Sequence, residues 1–193
     1  MEPFGINGVM EPERVSRLEA KLRRAELHVH FGCGAIDDDR FLNVDARAFP
    51  HVDLVTRSPM MPELPPGRAV SLYACHAFEH IPHPQQIPIL RRWHELLCVG
   101  GRVMLSVPDF EKILRMYEAS GRRILTIQGY LMGAQDYAEN FHCGIFTHRY
   151  LSAMLELSGF VEIAEWHPRD EPDWPRDLSW DDNLSLNMCA RKR

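Results

Sequence analysis

Apolar and polar positions alternate along residues 27–31, "LHVHF", and the run stops at Gly32, Cys33 and Gly34. That pattern reads as a strand entering a tight turn. Six further short runs predict strands: 41–46 (FLNVDA), 52–56 (VDLVT), 69–74 (AVSLYA), 102–107 (RVMLSV), 160–166 (FVEIAEW) and 184–190 (LSLNMCA). Between them the period lengthens. Val15, Leu18 and Leu22 form a narrow stripe over 11–25, suited to a surface helix or a contact with a second subunit. Leu90, Trp93 and Leu97 mark a helix over 84–97, with Pro84 and Pro88 near its first turn and Gly100 and Gly101 as its stop. Residues 109–119 and 122–134 read as helical, and Thr147 can cap a helix over 148–158 that Gly159 ends. Residues 57–68 are a proline-rich loop, 135–146 hold no period, and 168–182 form an acidic loop with Pro and Trp.

Strands alternating with helices predict an open, Rossmann-like α/β sheet with helices on both faces. We expect residues 1–26 to be an N-terminal helix or extension. Residues 27–193 then form one domain, with 120–146 as a candidate substrate lid. In such a sheet ligands bind beyond the carboxyl ends of the strands. Four segments converge there: the glycine turn after the first strand, Asp45, the 57–68 loop, and "YACHAFEHIP" at 73–82.

Composition narrows the functions. With 193 residues and 45% apolar content the chain can fill one sizeable core. A formal charge of −5 with interspersed signs argues against a dedicated nucleic-acid binder. Five scattered cysteines show no paired spacing, so a reducing cytoplasm is expected. No secretory leader or membrane-length apolar run is visible, and neither a membrane nor a nucleic acid is expected as a partner.

A glycine turn after a first strand lets a ligand approach the backbone, with amide groups free to donate. Asp45 ends the second strand, where an acid commonly takes the hydroxyls of a ribose. A dinucleotide normally needs a third glycine and a full helix behind it. Here Ile36 holds that place, and Asp37, Asp38 and Asp39 follow at once. A pyrophosphate is thus disfavoured, and an adenosine cofactor without phosphate, especially a cationic one, fits better.

His76-Ala77-Phe78-Glu79-His80 matches the H-x-x-E-H zinc signature. Zinc hydrolysis needs both histidines on a stable helix plus a third ligand. The stretch instead follows a buried strand and precedes Pro82 and Pro84, so the match reads as coincidental and no metal is expected. Its histidines, with His142 in the polar-aromatic segment 135–146, are the candidate proton acceptors.

"LHVHFGCG", "FLNVDA", "SLYACHAFEHI", "ILRRWHELLCVGGRVMLSVPDFE" and "SLNMCARK" together resemble the class I S-adenosylmethionine-dependent methyltransferases. The likeness is nearest to a compact bacterial subgroup patterned LNLGCG, NVD, LEHL, PGG, VPD and SLN. It covers roughly 27–190. The resemblance implies a seven-stranded sheet whose last strand is antiparallel, with S-adenosylmethionine at the carboxyl ends of the first four strands. It implies that Gly32, Cys33 and Gly34 pass beneath the methionine part and that Asp45 holds the ribose. Met61 and Leu64 would lie near the adenine, and His76 would face the transferred methyl, with His76, His80 and His142 as catalytic candidates. The acceptor would be a small molecule or a sugar-linked metabolite, and the protein a monomer or homodimer. Two alternatives remain open: a non-catalytic scaffold on the same fold, and a nicotinamide-dependent oxidoreductase.

Overall fold

The computed structural model describes residues 11–171 and 174–193. The first ten residues of the expected extension, and residues 172 and 173 of the acidic loop, lie outside the described residues. Seven strands form one sheet: β1 (Leu27–Phe31), β2 (Phe41–Asp45), β3 (Leu54–Val55), β4 (Ala69–Cys75), β5 (Leu97–Pro108), β6 (Val161–Glu165) and β7 (Ser185–Arg191). Their order is β3-β2-β1-β4-β5-β7-β6. β1 to β5 run parallel, while β7 is antiparallel to both β5 and β6. The chain leaves β1 in one direction through β2 and β3, then returns to β1's other side as β4. That reversal between β1 and β4 opens a crevice at their carboxyl ends.

The helices are α1 (Pro12–Leu22), α2 (His83–Leu96), α3 (Phe110–Ala119), α4 (Ile124–Met132) and α5 (His148–Leu157). Alternation along the strands sorts the two faces of the sheet. Val29, Leu72, Leu105 and Met188 join the main core with Leu90 and Trp93 of α2 and Leu151 and Leu155 of α5. On the other face Phe41, Tyr73 and Met104 pack against Trp166 and Trp174. Here the structure departs from helices on both faces. Residues 32–40 contain turns and no helix, so the tryptophans of the segment after β6 cover the middle of that face instead.

α1 is tied to the body of the domain. Leu18 and Leu22 pack on the main core, and the buried Lys21 Nζ donates to Phe41 O at 2.8 Å and to Asp53 Oδ2 at 2.9 Å. Asp53 also accepts from Asn43 N at 2.9 Å, so the buried ion pair is satisfied on both sides.

One helix boundary differs from the expectation. Gly100 and Gly101 do not stop α2, which ends at Leu96 and passes directly into β5. A Cβ on Gly101 would lie 2.9 Å from Cys98 O and 3.0 Å from Ala69 O, so glycine serves close strand approach there. α5 does follow its cap: Thr147 Oγ1 accepts from Tyr150 N at 3.3 Å, and Gly159, at φ +93°, turns the chain out of the helix.

Candidate active site

The crevice is a cleft of about 470 Å³. Its floor is the turn after β1. Gly32 and Gly34 have φ of +67° and +57°, the left-handed region where glycine is favoured. At Gly32 space is also short, because a Cβ would stand 2.5 Å from the Ala77 Cβ. The amides of this turn are not free, contrary to expectation: Gly32 N and Cys33 N donate to Val44 O at 2.8 and 3.1 Å, and Gly34 N donates to Asp45 Oδ2 at 2.8 Å. They fix the turn. Burial pushes the Cys33 thiol up to about 12, so it lines the cleft as an inert group rather than a nucleophile.

Asp45, at the end of β2, also accepts on Oδ1 from Arg47 N at 2.8 Å and Arg47 Nε at 3.2 Å. A carboxylate offers about four lone-pair sites. Three are occupied, and one on Oδ2 remains for a ligand hydroxyl. The Arg47 guanidinium stands 4.8 Å from the Phe49 ring and 4.5 Å from the Tyr137 ring, an attraction between cation and aromatic faces. Glu139, two residues on, pairs with Arg57 at 3.1 Å. Tyr137, Ala138 and Glu139 thus reach the cleft from the segment expected to be a lid.

The far wall comes from β4 and the turn after it. His76 adopts φ +47° and its Nε2 lies 2.8 Å from Ser185 Oγ. Ser185 Oγ donates in turn to Leu178 O at 2.6 Å, so His76 Nε2 is assigned as the donor to Ser185. His76 Nδ1 faces Glu79 Oε1 at 3.4 Å. Burial pushes the Glu79 carboxyl up, but the neighbouring His76 and His80 side chains outweigh it and hold it below its ordinary range. Asp177 closes this side, accepting from the buried Tyr73 hydroxyl at 2.7 Å. Behind it His30 is 1% exposed, and burial lowers its imidazole to about 4.

The expected residues separate into two groups. Gly32, Cys33, Gly34, Asp45, His76 and His80 all line the cleft. Met61 and Leu64 do not: both are buried in the main core, and their loop presents Thr56, Arg57 and Pro59 instead. Trp93 explains the difference, because its Nε1 donates to Pro59 O at 2.8 Å and draws the loop inward. His142 stands behind His80, with ring centroids 4.9 Å apart, and is not among the lining residues. Asp37, Asp38 and Asp39 also turn away. Asp38 pairs with Arg40 at 2.6 Å, and Asp39 with Lys21 at 3.4 Å. The cleft's acids are Asp45, Glu139 and Asp177. Sequence reasoning missed Arg47, which an Asp-x-Arg spacing at a strand end could have suggested, and Asp177, which only the folding back of the acidic loop brings in.

No protein-family model matches the chain, and no curated protein sequence matches it. Solved structures do match. A SAM-dependent methyltransferase from Archaeoglobus fulgidus aligns with a TM-score of 0.56 at 11% identity, covering 93% of this chain and 92% of that one. A possible histamine N-methyltransferase from Thermotoga maritima gives 0.56 at 14%, covering 93% and 89%. The 1,6-didemethyltoxoflavin-N1-methyltransferase of Burkholderia thailandensis, solved with bound 1,6-didemethyltoxoflavin and S-adenosylhomocysteine, gives 0.53 at 18%, covering 94% and 77%. The fold is therefore that of SAM-dependent methyltransferases. Among the described residues no helix is long and apolar enough to cross a membrane.

Proposed function

We propose that the chain is an S-adenosylmethionine-dependent methyltransferase acting on a small molecule or a sugar-linked metabolite. The observation that carries this reading is the glycine turn and Asp45 meeting at the switch between β1 and β4, in a fold shared with such enzymes. The residues fit the cofactor: the turn has no Cβ at its tightest point, and Asp45 keeps one acceptor site for a ribose hydroxyl. When bound, the sulfonium supplies a methyl carbon already activated for attack. The protein's part is then chiefly alignment, which can lower a barrier by several kcal/mol. Gly32, Cys33 and Gly34 hold the amino-acid part, and Asp45 holds the ribose. Tyr137 and Glu139 exclude water above. His76 and His80 line the acceptor side of the cleft as the candidates to take up a proton when the nucleophile is a hydroxyl.

Arg47 favours a second reading, a scaffold that no longer uses the cofactor, because its side chain already occupies Asp45. Thermal melting separates the two. The enzyme reading expects S-adenosylhomocysteine, at a hundred times its dissociation constant, to stabilise the protein by about 2.7 kcal/mol, and NAD to leave the melting temperature unchanged. A flat response to S-adenosylhomocysteine supports the scaffold, and a response to NAD alone supports an oxidoreductase.

A further inference from the structure

Beside the cleft lies a cluster that methyl transfer leaves largely unused. Glu79 is fully buried, and neither of its carboxylate oxygens has a hydrogen-bond donor among the described residues. Bare burial of a charge is costly, so a positive partner is called for. Three imidazoles surround it. His76 Nδ1 lies 3.4 Å from Oε1, and His142 Nε2 lies 4.0 Å from the same oxygen. One ligand atom each from Glu79, His80 and His142 all fall within 4.8 Å of one another.

The hydrogen bonds show which nitrogens carry lone pairs. His142 Nδ1 is 2.9 Å from Tyr130 O. A carbonyl only accepts, so Nδ1 holds the proton and Nε2 turns a lone pair toward Glu79. The two His80 nitrogens stand 3.2 Å from Phe141 O and 3.2 Å from His76 O. A neutral imidazole has one N–H, so the other nitrogen meets a carbonyl with no proton between them. The cluster is rich in acceptors and short of donors.

Extra protons or a metal ion could resolve this, and the distance discriminates between them. An imidazolium–carboxylate hydrogen bond closes to about 2.7–2.9 Å, and both His76 at 3.4 Å and His142 at 4.0 Å stand beyond it. A cation bonded at about 2.0–2.2 Å to nitrogen and oxygen spans such a gap with small side-chain shifts. The His142 Nδ1–H to Tyr130 carbonyl contact is also the kind that fixes the tautomer and orientation of a metal-ligating histidine.

We infer that Glu79, His80 and His142 form a binding site for a divalent transition-metal ion of zinc-like preference. The ion would clip the segment carrying His142 to the turn after β4, where Cys143 N and Gly144 N already donate to Glu79 O at 2.7 and 3.1 Å. This is not the H-x-x-E-H arrangement of a peptidase. Glu79 is a ligand rather than a base, and His76 stands outside the group with its Nε2 on Ser185. A cation there takes His80 out of the proton-accepting set.

The test uses the full chain, purified without a polyhistidine tag, freed of metal and titrated with zinc against a chromophoric chelator. One tight equivalent is expected. Glu79→Gln and His142→Ala should each weaken it by more than about tenfold, the loss that even an outer-shell change can produce. His83→Ala, at a position whose ring hydrogen-bonds Tyr150 and stands outside the cluster, should bind as the wild type does. Melting of each metal-free variant checks the fold. If Glu79→Gln fails to fold, the half-buried His142 decides the matter. Absence of the tight equivalent in the wild type, or equal zinc affinity in wild type and His142→Ala, overturns the inference. Because no cofactor is present, the result is independent of methyl transfer.

Discussion

Gly32→Ala should destabilise the protein by roughly 2–5 kcal/mol and abolish its melting response to S-adenosylhomocysteine. Two separate costs add at this position. An alanine at φ +67° is held in a backbone region that disfavours a side chain. Its Cβ also meets the Ala77 Cβ at 2.5 Å, and Ala77 belongs to the turn that carries His76 to the cleft. Relief of the clash must move either the floor of the cleft or its far wall, so stability and ligand binding should fall together. Gly34→Ala is the comparison: the nearest atom to its Cβ is Arg47 Nη2 at 3.6 Å, which leaves backbone strain as the main cost. Calorimetry and melting on both variants check this. A Gly32→Ala protein that melts and binds like the wild type would show that the turn is looser than described.

The second large effect is on pH. His30 is buried with its Nδ1 unpartnered among the described residues, between Phe41 and Tyr73 at ring separations of 5.7 and 4.9 Å. Burial holds its imidazole at about 4 instead of 6.5. Below pH 6.5 the unfolded chain takes up a proton that the folded chain refuses. The unfolded state then binds more protons, and stability falls with pH. The contribution is fully present above pH 6.5 and is lost progressively down to about pH 4, in total roughly 3 kcal/mol. Denaturant titrations between pH 7 and 4 should show that slope, and His30→Phe, which keeps a ring and removes the titration, should flatten it. Parallel slopes in the two proteins would mean that His30 is protonated where it lies.

The fold was largely legible because its signals are local. Each of the seven apolar runs became a strand, and Thr147 and Gly159 act where capping chemistry places them. The misplaced α2 stop shows the limit: a glycine pair marks close approach as readily as a helix end, and only the neighbouring Ala69 carbonyl distinguishes them. The cleft was legible in its floor, where strand, turn and acid follow one another in sequence. It was not legible in its walls. Met61 and Leu64 look like an apolar ligand edge until Trp93 draws their loop into the core. Asp177 reaches the site only because Tyr73, more than a hundred residues earlier, donates a hydrogen bond to it. The cluster around Glu79 was half visible as H-x-x-E-H. Its third member, His142, is brought in by backbone hydrogen bonds that no spacing rule encodes.

The proposed function requires this cleft to take adenosine joined to an amino acid. The most direct measurement is a crystal structure of the protein grown with saturating S-adenosylhomocysteine. Electron density is expected for the amino-acid part above Gly32, Cys33 and Gly34, with a ribose hydroxyl on Asp45 Oδ2. A cleft still closed by Arg47 and Tyr137, or the ligand seated elsewhere on the molecule, would contradict it.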